Sequence, residues 1–191
     1  MFYALALRSL SRLLGEGPGD TYVARAERTE RALLERCYDE RRGLFFDLAG
    51  PSERPVDVST WTALAPLALP SLPEDVRRRL VEEHLLDARR YLAPTGVPSV
   101  SLEEPLFRPG WDYWRVWRGP SWVNLAWLLV PALRELGYAR EAEHVTGSLV
   151  AAVESDGFRE YYNPLTGRGL AARNFGWSTL LVDLLEPAPA G

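Results

Sequence analysis

Apolar positions recur at helical spacing through most of the 191-residue chain, in segments separated by proline- and glycine-rich breaks. Phe2 to Leu14 reads as a first amphipathic helix, stopped by Gly15-Glu16-Gly17-Pro18-Gly19. A second starts near Asp20 or Thr21, with Val23, Ala26, Leu33, Leu34 and Cys37 along one face. Arg42 to Asp47 reads as a short extended or turn segment, and Ser59 to Leu69 as a third helix. The Ser71-x-x-Glu74 spacing, with Pro73 in the first turn, predicts a capping box opening a fourth helix that runs to about Leu86. An irregular region comes next, from Ala88 to Gly119, carrying Pro94, Pro98, Pro105 and Pro109. A loop of that length in a compact domain is usually functional or disordered, and its aromatic content argues against disorder.

Gly119-Pro120 opens a fifth helix, with Trp122, Leu125, Leu129, Leu133 and Leu136 at helical spacing. The sixth runs from Ala139 to Glu154, with Ala142, Val145, Leu149 and Val153 inward. Phe158 to Ala172 reads as irregular around a turn at Asn163-Pro164-Leu165-Thr166-Gly167. A last helix occupies Asn174 to Leu185, and the tail at 187–191 is expected to fray. The pattern predicts an all-α chain, one domain over 1–186, with about seven helices in antiparallel hairpins.

Composition narrows the class. The chain is 47% hydrophobic and 25% charged, which suits a folded globular protein, and its net charge of -4 offers no basic surface for nucleic acid or an anionic membrane. All 22 basic residues are Arg, which reads as codon bias more readily than as function. The single Cys37 excludes an internal disulfide. The opening apolar run carries Arg8 and Arg12 and no small-residue cleavage site, so it reads as a helix and not a leader. No run is long enough to span a bilayer. The expectation is a soluble, cytoplasmic protein.

Several chemistries drop out. His84, His144 and Cys37 are too separated for a typical zinc site, and both histidines read as surface or half-buried structural groups. Gly119-Pro120-Ser121-Trp122 fails the G-x-S-x-G spacing of a nucleophile elbow. Gly167-Arg168-Gly169 lacks the third glycine and preceding strand of a dinucleotide site, and there is no Walker motif. No cofactor is expected. Carboxylate chemistry remains.

Two segments carry candidate chemistry. Five of the seven Trp (Trp111, Trp114, Trp117, Trp122 and Trp127) fall in one short stretch that includes Asp112-Tyr113-Trp114-Arg115-Val116-Trp117-Arg118-Gly119-Pro120-Ser121-Trp122-Val123-Asn124. Indole faces stack on the C–H faces of sugars, and a guanidinium supplies fixed donors for hydroxyls or a carboxylate. The same residues also suit a packing plug between helices, and local physics leaves both readings open. In Gly157-Phe158-Arg159-Glu160-Tyr161-Tyr162-Asn163-Pro164, Glu160 sits between Arg159 and two Tyr just before a turn. A carboxylate so placed can be held ionised yet basic enough to activate water, or can simply cap or pair locally.

Together, WRGPSWVN and FREYYNPLTGRGLAARNFGWSTLL resemble the C-terminal signature of glycoside hydrolase family 63, in its bacterial branch of mannosylglycerate hydrolases and related α-glucosidases and α-mannosidases. LLERCYDERRGLFFD and HLLDARRYLAPTGVPSVSLEEPLF fit the same layout, so the resemblance covers nearly the whole chain. It implies an (α/α)6 barrel, of which this chain is about half, and hydrolysis of an α-linked sugar with inversion. It places the general base at Glu160 and the sugar-pocket wall at Trp117, Arg118 and Gly119, with Trp122, Asn124, Tyr161 and Trp177 nearby. Val116 departs from the aromatic residue that such sequences often carry before the Trp.

The resemblance also shows what the chain does not contain. A complete barrel of about twelve helices takes roughly twice this length. The family's general acid is an Asp in a Trp/Gly-rich N-terminal segment, and no such segment occurs here; Asp112 is the one nearby carboxylate. An inverting pair sits about 6.5–9.5 Å apart with a water between. The expectation is therefore a portion of an inverting glycosidase, nearly inactive by itself, whose partner is a sugar substrate and an N-terminal half in cis or trans, or a second copy. The alternative is a carbohydrate-binding remnant or scaffold of the same fold.

Overall fold

The computed structural model describes residues 1–15, 21–110, 114 and 116–185. Asp112, the carboxylate near the Trp117-Arg118-Gly119-Pro120 motif, the Gly-rich break after Gly15 and the tail at 187–191 lie outside the described residues.

The first two helices form as their sequence spacing predicts. α1 (Phe2–Leu14) ends where Gly15 turns left-handed, and α2 (Thr21–Cys37) packs back against it. Arg8 locks the pair with a two-pronged hydrogen bond to the buried Glu30, at 2.7 and 2.6 Å. Two small hairpins come next: β1 (Tyr38–Asp39) pairs with β2 (Leu44–Phe45), and β3 (Leu48–Ala49) with β4 (Arg54–Pro55).

The third helix predicted over Ser59–Leu69 is not one. Its first residues make sheet-like hydrogen bonds to a distant segment, and the chain then makes two 3-10 turns, Trp61–Ala63 and Ala65–Ala68. Thr60 accepts the amide of Thr62 through its own hydroxyl, and Pro66 and Pro70 interrupt the α ladder. The capping box is also absent. Pro73 is the N-cap of α3 (Glu74–Leu80), with no side-chain hydrogen bond capping it. α3 continues as one π-helical turn, Val81–Leu85. His84 in that turn is buried, not superficial: its Nε2 meets the Arg42 carbonyl at 3.0 Å and its Nδ1 meets Arg90 at 2.6 Å. Since Arg only donates, Nδ1 accepts and Nε2–H donates to the carbonyl.

α4 (Val123–Glu135) is apolar on nearly every side and forms the centre of the core, with α5 (Ala139–Asp156), the second 3-10 turn and α6 (Leu180–Leu185) packed around it. The final helix expected from Asn174 is shorter, because Gly176–Thr179 forms a 3-10 turn before α6. Phe158–Ala172, expected to be irregular, holds the third hairpin, β5 (Arg159–Tyr162) against β6 (Gly169–Arg173). The chain is therefore helix-rich but not purely α: among the described residues there are six α-helices and three short two-stranded hairpins. No helix among them is long and apolar enough to cross a membrane.

Candidate active site

Backbone hydrogen bonds gather five distant segments side by side. Ser59 and Trp61 bond to Ser101 and Ser99, Ser99 to Pro120, and Ser121 to Tyr162 in both directions at 2.9 Å. Tyr162 then pairs with Gly169 across the β5–β6 hairpin. This ladder joins the Trp-rich segment to the Glu160 segment, some forty residues away in the chain, and brings Trp61 with them.

Gly119 shapes the turn into α4. At φ 145 it occupies backbone space barred to other residues, and an added Cβ would lie 2.7 Å from the Arg108 carbonyl oxygen. Its N–H donates to Ser99 Oγ at 3.0 Å and the residue is buried. Gly119 therefore sets the path of the wall and presents no free donor to a ligand.

The aromatic residues form one continuous group. Trp117 stacks on Trp122 with centroids 4.0 Å apart and planes 2° from parallel, and Trp122 lies 4.7 Å from Tyr161. Trp122 and Tyr161 are buried, so they back the wall, while Trp117 is half-buried in front of them. The Trp122 indole N–H donates to the Val116 carbonyl at 3.3 Å. Trp61 extends the group from Trp117, at 6.0 Å, and Trp177 extends it from Trp122, also at 6.0 Å. Arg118 is exposed, and Asn124 is half-buried on the first turn of α4.

Glu160 occupies a local irregularity of the hairpin. Arg159 pairs with Arg173 and Tyr161 with Leu170, so Glu160 alone faces two residues, Ala171 and Ala172. Such a bulge bends the strand and re-aims a side chain. Ala171 takes the left-handed φ of 56 that a non-glycine residue adopts at a cost. The half-buried Glu160 carboxylate accepts the Ala172 N–H at 3.4 Å. Around it, Arg159 donates to the Ala171 carbonyl at 2.8 Å, and Ser178 donates to the Arg159 carbonyl. The Tyr162 hydroxyl donates to the Gly157 carbonyl at 2.8 Å, and burial raises its pKa.

The ladder and ring contacts thus bring together Trp117, Trp122, Tyr161 and Trp177, all marked by the sequence motifs, with Glu160 next in chain to Tyr161. Sequence reasoning missed Trp61 and Phe2, whose rings lie 6.4 Å apart. Trp61 was hidden inside a segment of helical pattern, and only the long-range pairing of Trp61 with Ser99 exposes it. A cavity of about 700 Å³ elsewhere on the molecule contains none of this group. It is lined by Arg42, His84, Asp87, Arg90, Glu103 and Glu104, whose charges are largely satisfied by one another. Arg90 pairs with Glu103 at 2.9 Å, Arg89 holds the Asp87 carboxyl down to about 2, and Glu104 accepts the Ser59 amide. Burial, then Arg90, lowers the His84 pKa.

The model of the mannosylglycerate hydrolase MGH1-like glycoside hydrolase domain matches residues 1–178. The chain belongs to this family. Mannosylglycerate hydrolase of Thermus thermophilus is 34% identical over 180 residues, covering 92% of this chain and 40% of that protein. Glucosylglycerate hydrolase of Mycolicibacterium hassiacum is 30% identical over 162 residues, covering 82% of this chain and 35% of the relative. In three dimensions the chain is similar to the crystal structure of the glycoside hydrolase family 63 mannosylglycerate hydrolase from Thermus thermophilus in complex with glucose. That match has a TM-score of 0.78 at 31% identity and covers 96% of this chain and 46% of the other. The chain thus spans less than half the length of the family members it matches.

Proposed function

We propose that this chain supplies the general base and sugar-binding wall of an inverting glycoside hydrolase acting on an α-linked mannoside or glucoside, mannosylglycerate being the first candidate. The observation that carries the reading is the juxtaposition of the stacked Trp117–Trp122 pair with the hairpin bearing Glu160. Names of the relatives, a mannosylglycerate and a glucosylglycerate hydrolase, supply the substrate class. Glu160 takes a proton from a water as that water attacks the anomeric carbon, and the glycosidic bond breaks on the opposite face. The leaving oxygen receives its proton from an acid outside this chain. The described helices and residues 1–186 make up about half of an (α/α)6 toroid, the C-terminal half, and a partner portion completes it in cis or trans.

In this reading Trp117, Arg118, Asn124 and Trp177 meet the sugar, whereas Trp122, Tyr161 and Gly119 hold them in place. The test is a chimera in which this chain replaces the matched region of the Thermus thermophilus enzyme. Hydrolysis of mannosylglycerate by the chimera and its loss in Glu160→Gln, with substrate still bound, is the expected result. The isolated chain is expected to be nearly inactive. Robust turnover by the chain alone, abolished by Glu160→Gln, would place both carboxylates within it and return attention to Asp112.

A further inference from the structure

A single peptide group of the β5–β6 hairpin joins Glu160 to the cation that precedes it in the chain. The Ala171 carbonyl accepts from Arg159 Nη2 at 2.8 Å. The N–H at the other end of that same peptide, on Ala172, donates to Glu160 Oε2 at 3.4 Å. The peptide leaves a residue with left-handed backbone, Ala171 at φ 56, and alanine holds that conformation at a cost. A relaxed strand conformation therefore competes unless other bonds hold the peptide in place. Arg159 is well fixed for that task. Its N–H donates to the Tyr162 hydroxyl at 3.0 Å and its carbonyl accepts from the Ser178 hydroxyl. Its side chain crosses the opposing strand at Gly169, where an added Cβ would lie 2.3 Å from Arg159 Cγ. A charged donor on a carbonyl bonds more strongly than a neutral one, and it polarises the N–H of the same amide.

We infer that Arg159 is a positioning residue for Glu160 and acts through the Ala171–Ala172 peptide. The guanidinium holds the carbonyl, the strained backbone stays as it is, and the opposed N–H fixes one carboxylate oxygen, Oε2. Oε1 is then aimed at the attacking water. The inference rests on the proposed role of Glu160 as the base. It adds that the aim of that base is set by a cation working through one amide, so a small rotation of the peptide misplaces the reacting oxygen.

The test compares variants of this chain within the Thermus thermophilus chimera, with mannosylglycerate as substrate. Arg159→Met should lower kcat about tenfold while KM stays within about twofold. Arg159→Gln, a milder change, should show the same fall and serves if the methionine variant does not fold. Arg159→Lys keeps a charged donor on a long stem and should recover most of the loss. In an Ala171→Gly background the effect of Arg159→Met should shrink below about threefold, because both changes free the same peptide. In the full chain, Arg159→Gln should move the Ala172 amide proton upfield in proton–nitrogen correlation spectra as its hydrogen bond weakens. Losses that multiply with Ala171→Gly, a lysine variant no better than methionine, or an unmoved Ala172 amide would each overturn the positioning role. So would Arg159→Met with kcat within about twofold of the parent while Glu160→Gln is inactive, and Glu160 would then stand as base without it. Retention of kcat in Glu160→Gln would overturn both.

Discussion

Gly119 and Ala171 both have positive φ, and their positions in the site make opposite expectations for substitution. Gly119→Ala places a Cβ against the Arg108 backbone, which cannot swing aside, so the variant should lose about 3 kcal/mol in chemical denaturation. Ala171→Gly relieves a left-handed alanine and should be neutral or stabilising by up to about 1 kcal/mol. If the bulge opposite Glu160 positions the proposed base, that same change should lower kcat in the assembled enzyme several-fold while KM stays constant. Stability and rate would then move in opposite directions, an outcome that simple loss of folding does not give. Gly119 stands in the sequence motif, but its reason, the approach of Arg108, is visible only in three dimensions. Ala171 carries no sequence signal of any kind, because left-handed alanine is dictated by pairing across the hairpin.

At the scale of elements, α1 is held to α2 by Arg8 and Glu30, and the hydrogen bond from Arg8 is the main cause lowering the Glu30 pKa from its ordinary 4.5. A carboxylate whose pKa falls on folding stabilises the protein fully above its unfolded pKa, and that contribution is lost as pH falls through the depressed value. The acid limb of stability should therefore steepen below about pH 4.5 in the wild type. Glu30→Gln should flatten it, as read from denaturant midpoints between about pH 3 and pH 7. Trp122→Ala removes the buried centre of the aromatic group and should cost about 4 kcal/mol. Helices with their own apolar periodicity were legible in the sequence, α1 and α5 nearly to the residue, α2 by its start, and α4 by its apolar face although it begins at Val123 and not at Gly119-Pro120. The segments at Ser59–Leu69 and Phe158–Ala172 were not, because their conformation is set by hydrogen bonds to partners far along the chain: Ser99 and Ser101 for the first, Ser121 and the opposing strand for the second. Those are the segments that build the site, so motif residues such as Trp117, Trp122 and Tyr161 could be named in advance while Trp61 could not.

The whole molecule spans about two fifths of the length of its Thermus thermophilus relative, and it presents apolar side chains on α1 and α6 to solvent. Leu13 is 85% exposed, with Leu14 beside it on α1 and Val182 and Leu185 on α6. If the chain is the proposed half of a helical barrel, these faces are the surface that a further portion of the domain or a second copy would cover. The purified chain should self-associate in sedimentation velocity, and Leu13→Glu with Leu14→Glu should reduce that association. A strictly monomeric wild-type chain at high concentration would contradict this. The central claim, that Glu160 is the base of an inverting hydrolase, is tested most directly by kcat and KM of the Thermus thermophilus chimera carrying Glu160 or Glu160→Gln. Loss of kcat by at least about a hundredfold with little change in KM is expected. Retention of kcat within a few-fold would show that Glu160 is not the base and leave this chain a sugar-binding wall alone.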